Sequence, residues 1–213
     1  MLIKLSVYFV VLSLLSCGSS SSNMDAVEPV DQQSAPEVPQ SGSSTSDTVK
    51  RSVLTQDENS FYRRVTVENG KLSIDIPKSF KKMSQAMIDR KYPRSSTRPT
   101  EVYTNNTYGV NIGFVYTTQP ASSGDLPSLQ TMLLEQIKAS GGENIKNSIQ
   151  QINGSSYVVI EFTNNALDTK IFNLLFVTDI DGRVFIGTFN CVSRLIGEWE
   201  PRAREIVSSL NKK

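Results

Sequence analysis

The sequence predicts an α/β (α+β) fold: an antiparallel-rich sheet flanked by helices on both faces, an α/β/α sandwich. Three observations predict it. Asn69-Gly70, Asn153-Gly154 and Asp181-Gly182 each separate two strand-like runs. Two runs in the last third of the chain are apolar on both faces. One stripe of apolar residues at helical spacing precedes those runs, and a second follows them.

The turn pairs set the topology. Asn-Gly and Asp-Gly accept the positive φ of a type I′ turn, whose twist matches that of paired strands, so each predicts a two-residue antiparallel hairpin. Leu72, Ile74 and Ile76 alternate with Ser73 and Asp75, which predicts a strand buried on one face. Phe172, Leu174 and Phe176 instead alternate with Ile171, Leu175 and Val177, and Val184-Phe185-Ile186 continues the theme. Such strands need cover on two sides, which helices supply. Leu126, Leu129, Met132, Leu133 and Ile137 form the first stripe, with Asp125 as its cap, Pro127 in its first turn and Gly141-Gly142 as its stop. Trp199, Ala203, Ile206, Val207 and Leu210 form the second, with Pro201 early. A shorter helix is predicted from Ser84 to Lys91, ending before Pro93.

Composition narrows the function. The 213 residues carry 22 Lys+Arg against 21 Asp+Glu, a balance that disfavours nucleic acid, whose binding needs a basic excess. Histidine is absent, which removes histidine triads, histidine metal ligands and the usual general base at neutral pH. Of the two cysteines, Cys191 reads as a small buried hydrophobe on a strand.

Residues 1–16 have one lysine, Lys4, and an apolar run from Leu5 to Leu15 that is too short to span a bilayer as a helix. The run ends Leu14-Leu15-Ser16-Cys17, which resembles the lipobox of bacterial lipoproteins. That resemblance implies cleavage after Ser16, a diacylglycerol thioether on Cys17 and N-acylation, with palmitate-type chains inserted in the membrane. Gly18 rather than Asp then favours the outer membrane. Residues 17–58 are rich in Ser, Pro and Gln with few bulky apolar side chains, and so are expected to form a disordered tether. A flexible chain of that length reaches ~35 Å. The folded domain is expected from residue 59 to 213.

Two stretches of that domain resemble PsbP/DcrB-like proteins: the strand running into Pro77 and Phe80 (residues 72–82), and the closing strand, Glu198-Trp199-Glu200-Pro201 and final helix (residues 183–210). The resemblance implies an α/β/α sandwich used mainly for binding, with partners that differ among members. It carries over no catalytic signature.

Few residues suggest chemistry. Ser79-Phe80-Lys81-Lys82 matches the Ser-x-x-Lys spacing of penicillin-binding enzymes, but follows a strand and lacks the partner motifs. Asp179 and Asp181 flank a turn without the rest of a calcium loop. A basic stretch is more informative. Lys71, Lys78, Lys81, Lys82, Arg90, Lys91, Arg94 and Arg98 are offset by only Asp75 and Asp89. Lys78, Lys81, Lys82, Arg90, Lys91 and Arg94 are the candidate contact patch for an envelope protein or an anionic surface. The expected function is a non-enzymatic, membrane-anchored accessory or binding lipoprotein of the cell envelope, without cofactor or metal. The alternatives are a small-ligand or glycan binder, with Tyr103, Tyr108, Tyr116 and Trp199 lining a groove, and a histidine-independent hydrolase.

Overall fold

The computed structural model describes residues 60–92, 98–166 and 169–213. The apolar N-terminal run, Cys17, the Ser/Pro-rich stretch and Arg94 lie outside them. The described residues form ten strands and three α-helices in two antiparallel sheets. The strands are β1 (Tyr62–Val67), β2 (Leu72–Pro77), β3 (Lys81–Lys82), β4 (Glu101–Thr104), β5 (Val110–Pro120), β6 (Glu143–Ile152), β7 (Ser155–Asn165), β8 (Lys170–Ile180), β9 (Arg183–Val192) and β10 (Asn211–Lys212). The helices are α1 (Gln85–Lys91), α2 (Leu126–Ala139) and α3 (Ile196–Ser208). The small sheet has the order β1-β2-β10, and the large one β3-β4-β5-β9-β8-β7-β6. None of these helices is long and apolar enough to cross a membrane.

Two of the expected tight turns form with two residues. Ile152 pairs with Ser155 across Asn153 and Gly154, which sit at φ 48° and 83°. Ile180 pairs with Arg183 across Asp181 and Gly182, at φ 48° and 72°. These are the left-handed values a type I′ turn requires. The third differs. Val67 pairs with Leu72, so the β1–β2 connection spans Glu68 to Lys71. Glu68, Asn69 and Gly70 all take positive φ, and the loop closes through Gly70 N–H on Val67 and Lys71 N–H on Glu68.

The two apolar faces of β8 and β9 enter two separate cores. Phe172, Leu174, Phe176, Phe185 and Phe189 face one core, with Trp199, Ala203, Ile206 and Val207 of α3. Leu175, Val177, Val184 and Ile186 face the other, with Leu126, Leu129, Leu133 and Ile137 of α2. α1 packs on the same side as α2, where Ile88 and Tyr92 meet Met83 and Val102. Helices thus lie on both faces, as the sequence predicts.

The face under α3 carries an additional layer. Val65, Val67, Leu72, Ile74 and Ile76 of the small sheet are buried in the α3 core. One helix is ~10 Å across, whereas strands ~4.8 Å apart make the large sheet roughly 30 Å wide. The β1–β2 hairpin covers what α3 leaves open. β10 then pairs with Leu72 and Ser73, which makes β2 a central strand. Ser73 is buried although its alternation predicts an exposed position, and its hydroxyl donates to Asn211 O at 3.4 Å.

Two helix starts differ from expectation. The Asp125 carboxylate makes no cap to α2; it accepts from the N–H and hydroxyl of Ser122, both at 2.8 Å, and closes the preceding 3₁₀ turn. α3 begins upstream of its expected stripe, because Leu195 and Ile196 pack on the core, and this leaves Pro201 inside the helix.

The middle of the large sheet is fixed by a close approach. Gly187 pairs with Phe176 on one side and Phe114 on the other. A Cβ at Gly187 would fall within the Phe176 ring. Four residues further along β9, Cys191 is 1% exposed, and burial, then the charge of Glu200, pushes its thiol from 9 up to about 12. Burial, then Asp179, raises the Tyr157 hydroxyl from 10 to about 12.

Gly187→Ala is expected to destabilise the protein by about 1–3 kcal/mol through overpacking, read from a urea midpoint. Stability should also fall in alkali. Up to pH 9 both folded and unfolded chains keep the Cys191 proton. Above it the unfolded chain releases the proton while the native one retains it, until about pH 12. Tyr157 adds the same trend from pH 10. Thermal midpoints measured from pH 8 to 11 should therefore drop, and Cys191→Val should lessen the drop. Iodoacetamide should label Cys191 only after denaturation.

Candidate functional site

The basic stretch is distributed over an edge strand, a short helix and their flanks. Phe80 and Met83 are buried on either side of β3 and hold it in place, which leaves Lys81 and Lys82 exposed at the outer edge of the large sheet. Lys81 pairs in register with Thr104, and Lys82 with Tyr103. Alternation therefore sends the two side chains to opposite faces. Lys82 lies on the face of Tyr103, where its Nζ is 2.9 Å from the Glu101 carboxylate. Tyr103 donates to the same carboxylate at 2.6 Å. Burial, then that bond, raises its hydroxyl from 10 to about 12. The Arg63 guanidinium lies over the Tyr103 ring, 5.7 Å from its centroid.

Lys81 lies on the α1 side. Ser84 starts α1, its hydroxyl accepting from Met87 N–H at 3.3 Å. Arg90 and Lys91 occupy the last turn, where cations suit the exposed carbonyls. Lys91 reaches the β4–β5 hairpin, donating to Tyr108 O and Asn111 Oδ1, both at 3.2 Å. Asn111 in turn donates to Tyr108 O at 3.3 Å and to Asn190 Oδ1 at 3.1 Å. Lys91 is therefore part of the scaffold: it holds the hairpin against α1. Arg90 approaches the Met87 sulfur at 3.1 Å.

These elements enclose a concavity of about 420 Å³, lined by Lys81, Lys82, Ser84, Met87, Asn105 and Tyr108 among others. Tyr108 sits at φ 58° and is 43% exposed. Left-handed backbone is uncommon for such a residue and is a recurrent feature of binding loops. Among the described residues no carboxylate pairs with Lys81. The concavity is thus a basin with an aromatic ring, a thioether and the Lys81 ammonium, which no described carboxylate neutralises, among its lining groups.

The six expected patch residues separate accordingly. Lys81 and Lys82 line the basin, though Lys82 shares its charge with Glu101. Arg90 is exposed on the same helix as Met87, and Lys91 is committed to the hairpin. Lys78, in the turn after β2, is not among the lining residues. Arg94 is outside the described residues. Of the four aromatics that the sequence offers for a groove, Tyr108 lines the basin. Tyr103 and Trp199 are core, the latter stacked on Phe189. Tyr116 donates to Ile180 O at 3.0 Å beneath Arg183.

A second concavity of about 580 Å³ lies between the β6–β7 hairpin and α3, lined in part by Gln150, Val159, Leu174, Glu161 and Arg204. Its ionic groups close on each other: Arg204 grips Glu161 through two bonds of 2.7 Å and also pairs with Glu200. The remaining chemical suggestions find other roles. Ser79 lies in a turn before a two-residue strand, so the helical turn that would bring a lysine to its hydroxyl is absent there. Asp179 accepts from Lys212 at 3.1 Å, and Asp181 pairs with Lys71. Among the described residues no three acidic or cysteine side chains gather as a metal site.

No protein-family model and no curated protein sequence matches the chain. Solved structures do resemble it. The PsbP protein of the cyanobacterium Synechocystis sp. PCC 6803 (CyanoP) aligns at 9% identity over 76% of this chain and 99% of its own, with a TM-score of 0.48. LpqN of Mycobacterium tuberculosis, described as involved in cell envelope biogenesis, aligns at 14% identity over 70% of this chain and 89% of its own, with a TM-score of 0.47. A protein from Bacteroides thetaiotaomicron aligns at 11% identity over 72% of this chain and 49% of its own, with a TM-score of 0.48.

Proposed function

We propose that this chain is a membrane-tethered, non-enzymatic binding module of the bacterial cell envelope. Lipid on Cys17 holds it, and the basin between β3, α1 and the β4–β5 hairpin receives an acidic surface of an envelope protein. The observation that carries this reading is the exposed Lys81, which no described carboxylate pairs, beside exposed Tyr108 on an edge that α1 and Lys91 hold in shape. Tyrosine and methionine are enriched at protein contact surfaces, and a cation beside them steers the encounter with an acidic partner. The second concavity supports a ligand-binding reading less, because its arginine and glutamates already neutralise one another.

Two variants separate the site from the scaffold. Lys81→Glu with Arg90→Glu should reduce recovery of the cross-linked native partner about tenfold, the effect of ~1.4 kcal/mol. Tyr108→Ala should act in the same direction, with the circular dichroism spectrum unchanged. Undiminished recovery from a folded double variant would reject the basin as the contact. The anchor is tested independently. Cys17→Ala should fold yet leave the membrane fraction, and a variant that stayed there would show the lipid assignment to be wrong.

A further inference from the structure

The large sheet ends in two unlike edges. One is β3, two residues long and both of them lysine, a common way of blunting an edge. The other is β6, which runs from Glu143 to Ile152 with β7 on its inner side. From Asn147 to Gly154 the chain has no charged residue and no proline.

The hairpin geometry decides which backbone groups face outward. Across a two-residue turn, Ile152 and Ser155 form a hydrogen-bonded pair, so Ile152, Gln150 and Ser148 bond to β7. Asn147, Ile149 and Gln151 turn their N–H and C=O groups away from it. Among the described residues nothing bonds to those outward groups. Ile149 is 42% exposed, although Val158 opposite it is fully buried. The one charge beside this run, Lys146, leans back toward Glu161 and Glu200, at 3.9 and 3.7 Å. A bulge between Glu143 and Lys146, with Asn144 at φ 52°, ends the regular edge.

We propose that β6 is a dimer edge: it pairs antiparallel with β6 of a second copy, about a twofold axis at Ile149, and joins the two large sheets into one. The edge complements itself, as pairing with a second copy requires. An axis at Ile149 sets Ser148 opposite Gln150, Asn147 opposite Gln151 and Lys146 opposite Ile152. No like charges meet, amides face amides or a hydroxyl, and the two exposed Ile149 side chains cover each other. Displacing the axis along the strand runs one end of each copy into the bulge or the Asn153-Gly154 turn and shortens the paired run. The same surface is isologous, as a closed dimer requires.

Directly opposite residues of a hydrogen-bonded antiparallel pair lie ~5.5 Å apart at Cα, within disulfide range. Ile149→Cys in the full chain, oxidised mildly in the membranes of cells that make it, should give a disulfide-linked dimer. The double variant Asn147→Cys with Gln151→Cys should do so as well, and Asn147→Cys alone should not. Sedimentation equilibrium of the full chain in density-matched detergent should show a dimer, and Ile149→Lys should abolish it by setting two ammonium groups face to face. A monomeric wild-type chain, absence of the Ile149→Cys dimer, or equal cross-linking by Asn147→Cys would each overturn the proposal.

Discussion

Strands β8 and β9 lie side by side in the middle of the large sheet, and neither has a face that tolerates water along most of its length. Phe176 lies against Gly187, and Phe114 stacks over Phe185 at 6.0 Å, on the face that α3 and the small sheet cover. On the reverse, Leu175, Val177 and Ile186 need α2. Burial of this pair, at roughly 25 cal/mol per Å² of apolar surface, is the requirement from which the layering follows. Because α3 is too narrow for its face, the β1–β2 hairpin and the two-residue strand β10 are brought onto it. The small sheet is therefore a cover for the large one.

The same requirement places the exposed features at the margins. Residues near the sheet centre are occupied with packing, including most aromatics that a sequence reader would assign to a groove. The two lateral edges are where backbone and side chains remain available, and they differ in chemistry. The β3 edge carries charge, a short length and a shaped basin. The β6 edge is long and uncharged where its backbone is open. One edge thus offers a lysine side chain, and the other offers strand backbone that no described residue pairs.

Ion pairs hold these margins. Arg204 ties α3 to β7 through Glu161, and Lys146 joins that network from β6. Lys71 reaches Asp181 at the neighbouring turn, and Lys212 reaches Asp179. Each is partly exposed and contributes modestly on its own. Their consistent effect is on placement. They orient hairpin turns and strand ends that the apolar cores do not grip.

The sequence by itself determined two of the three tight turns, the doubly apolar strands and the presence of all three helices, because these depend on local chemistry. Positive φ at Asn-Gly and Asp-Gly, alternation at a period of two and apolar stripes at helical spacing need no knowledge of distant residues. The basic stretch was visible as composition, but its division was not. That Lys81 is available, that Lys82 answers Glu101 and that Lys91 bolts down a hairpin are decided by residues far apart in the chain. Tyr108 stands out only once its backbone is seen in the left-handed region. The second sheet was also illegible, since nothing in Leu72 to Pro77 says which layer the strand joins, and Asn211-Lys212 is too short to show any period. Local propensity acts within a few residues, whereas pairing, charge neutralisation and exposure are settled by which surfaces meet when the two cores close.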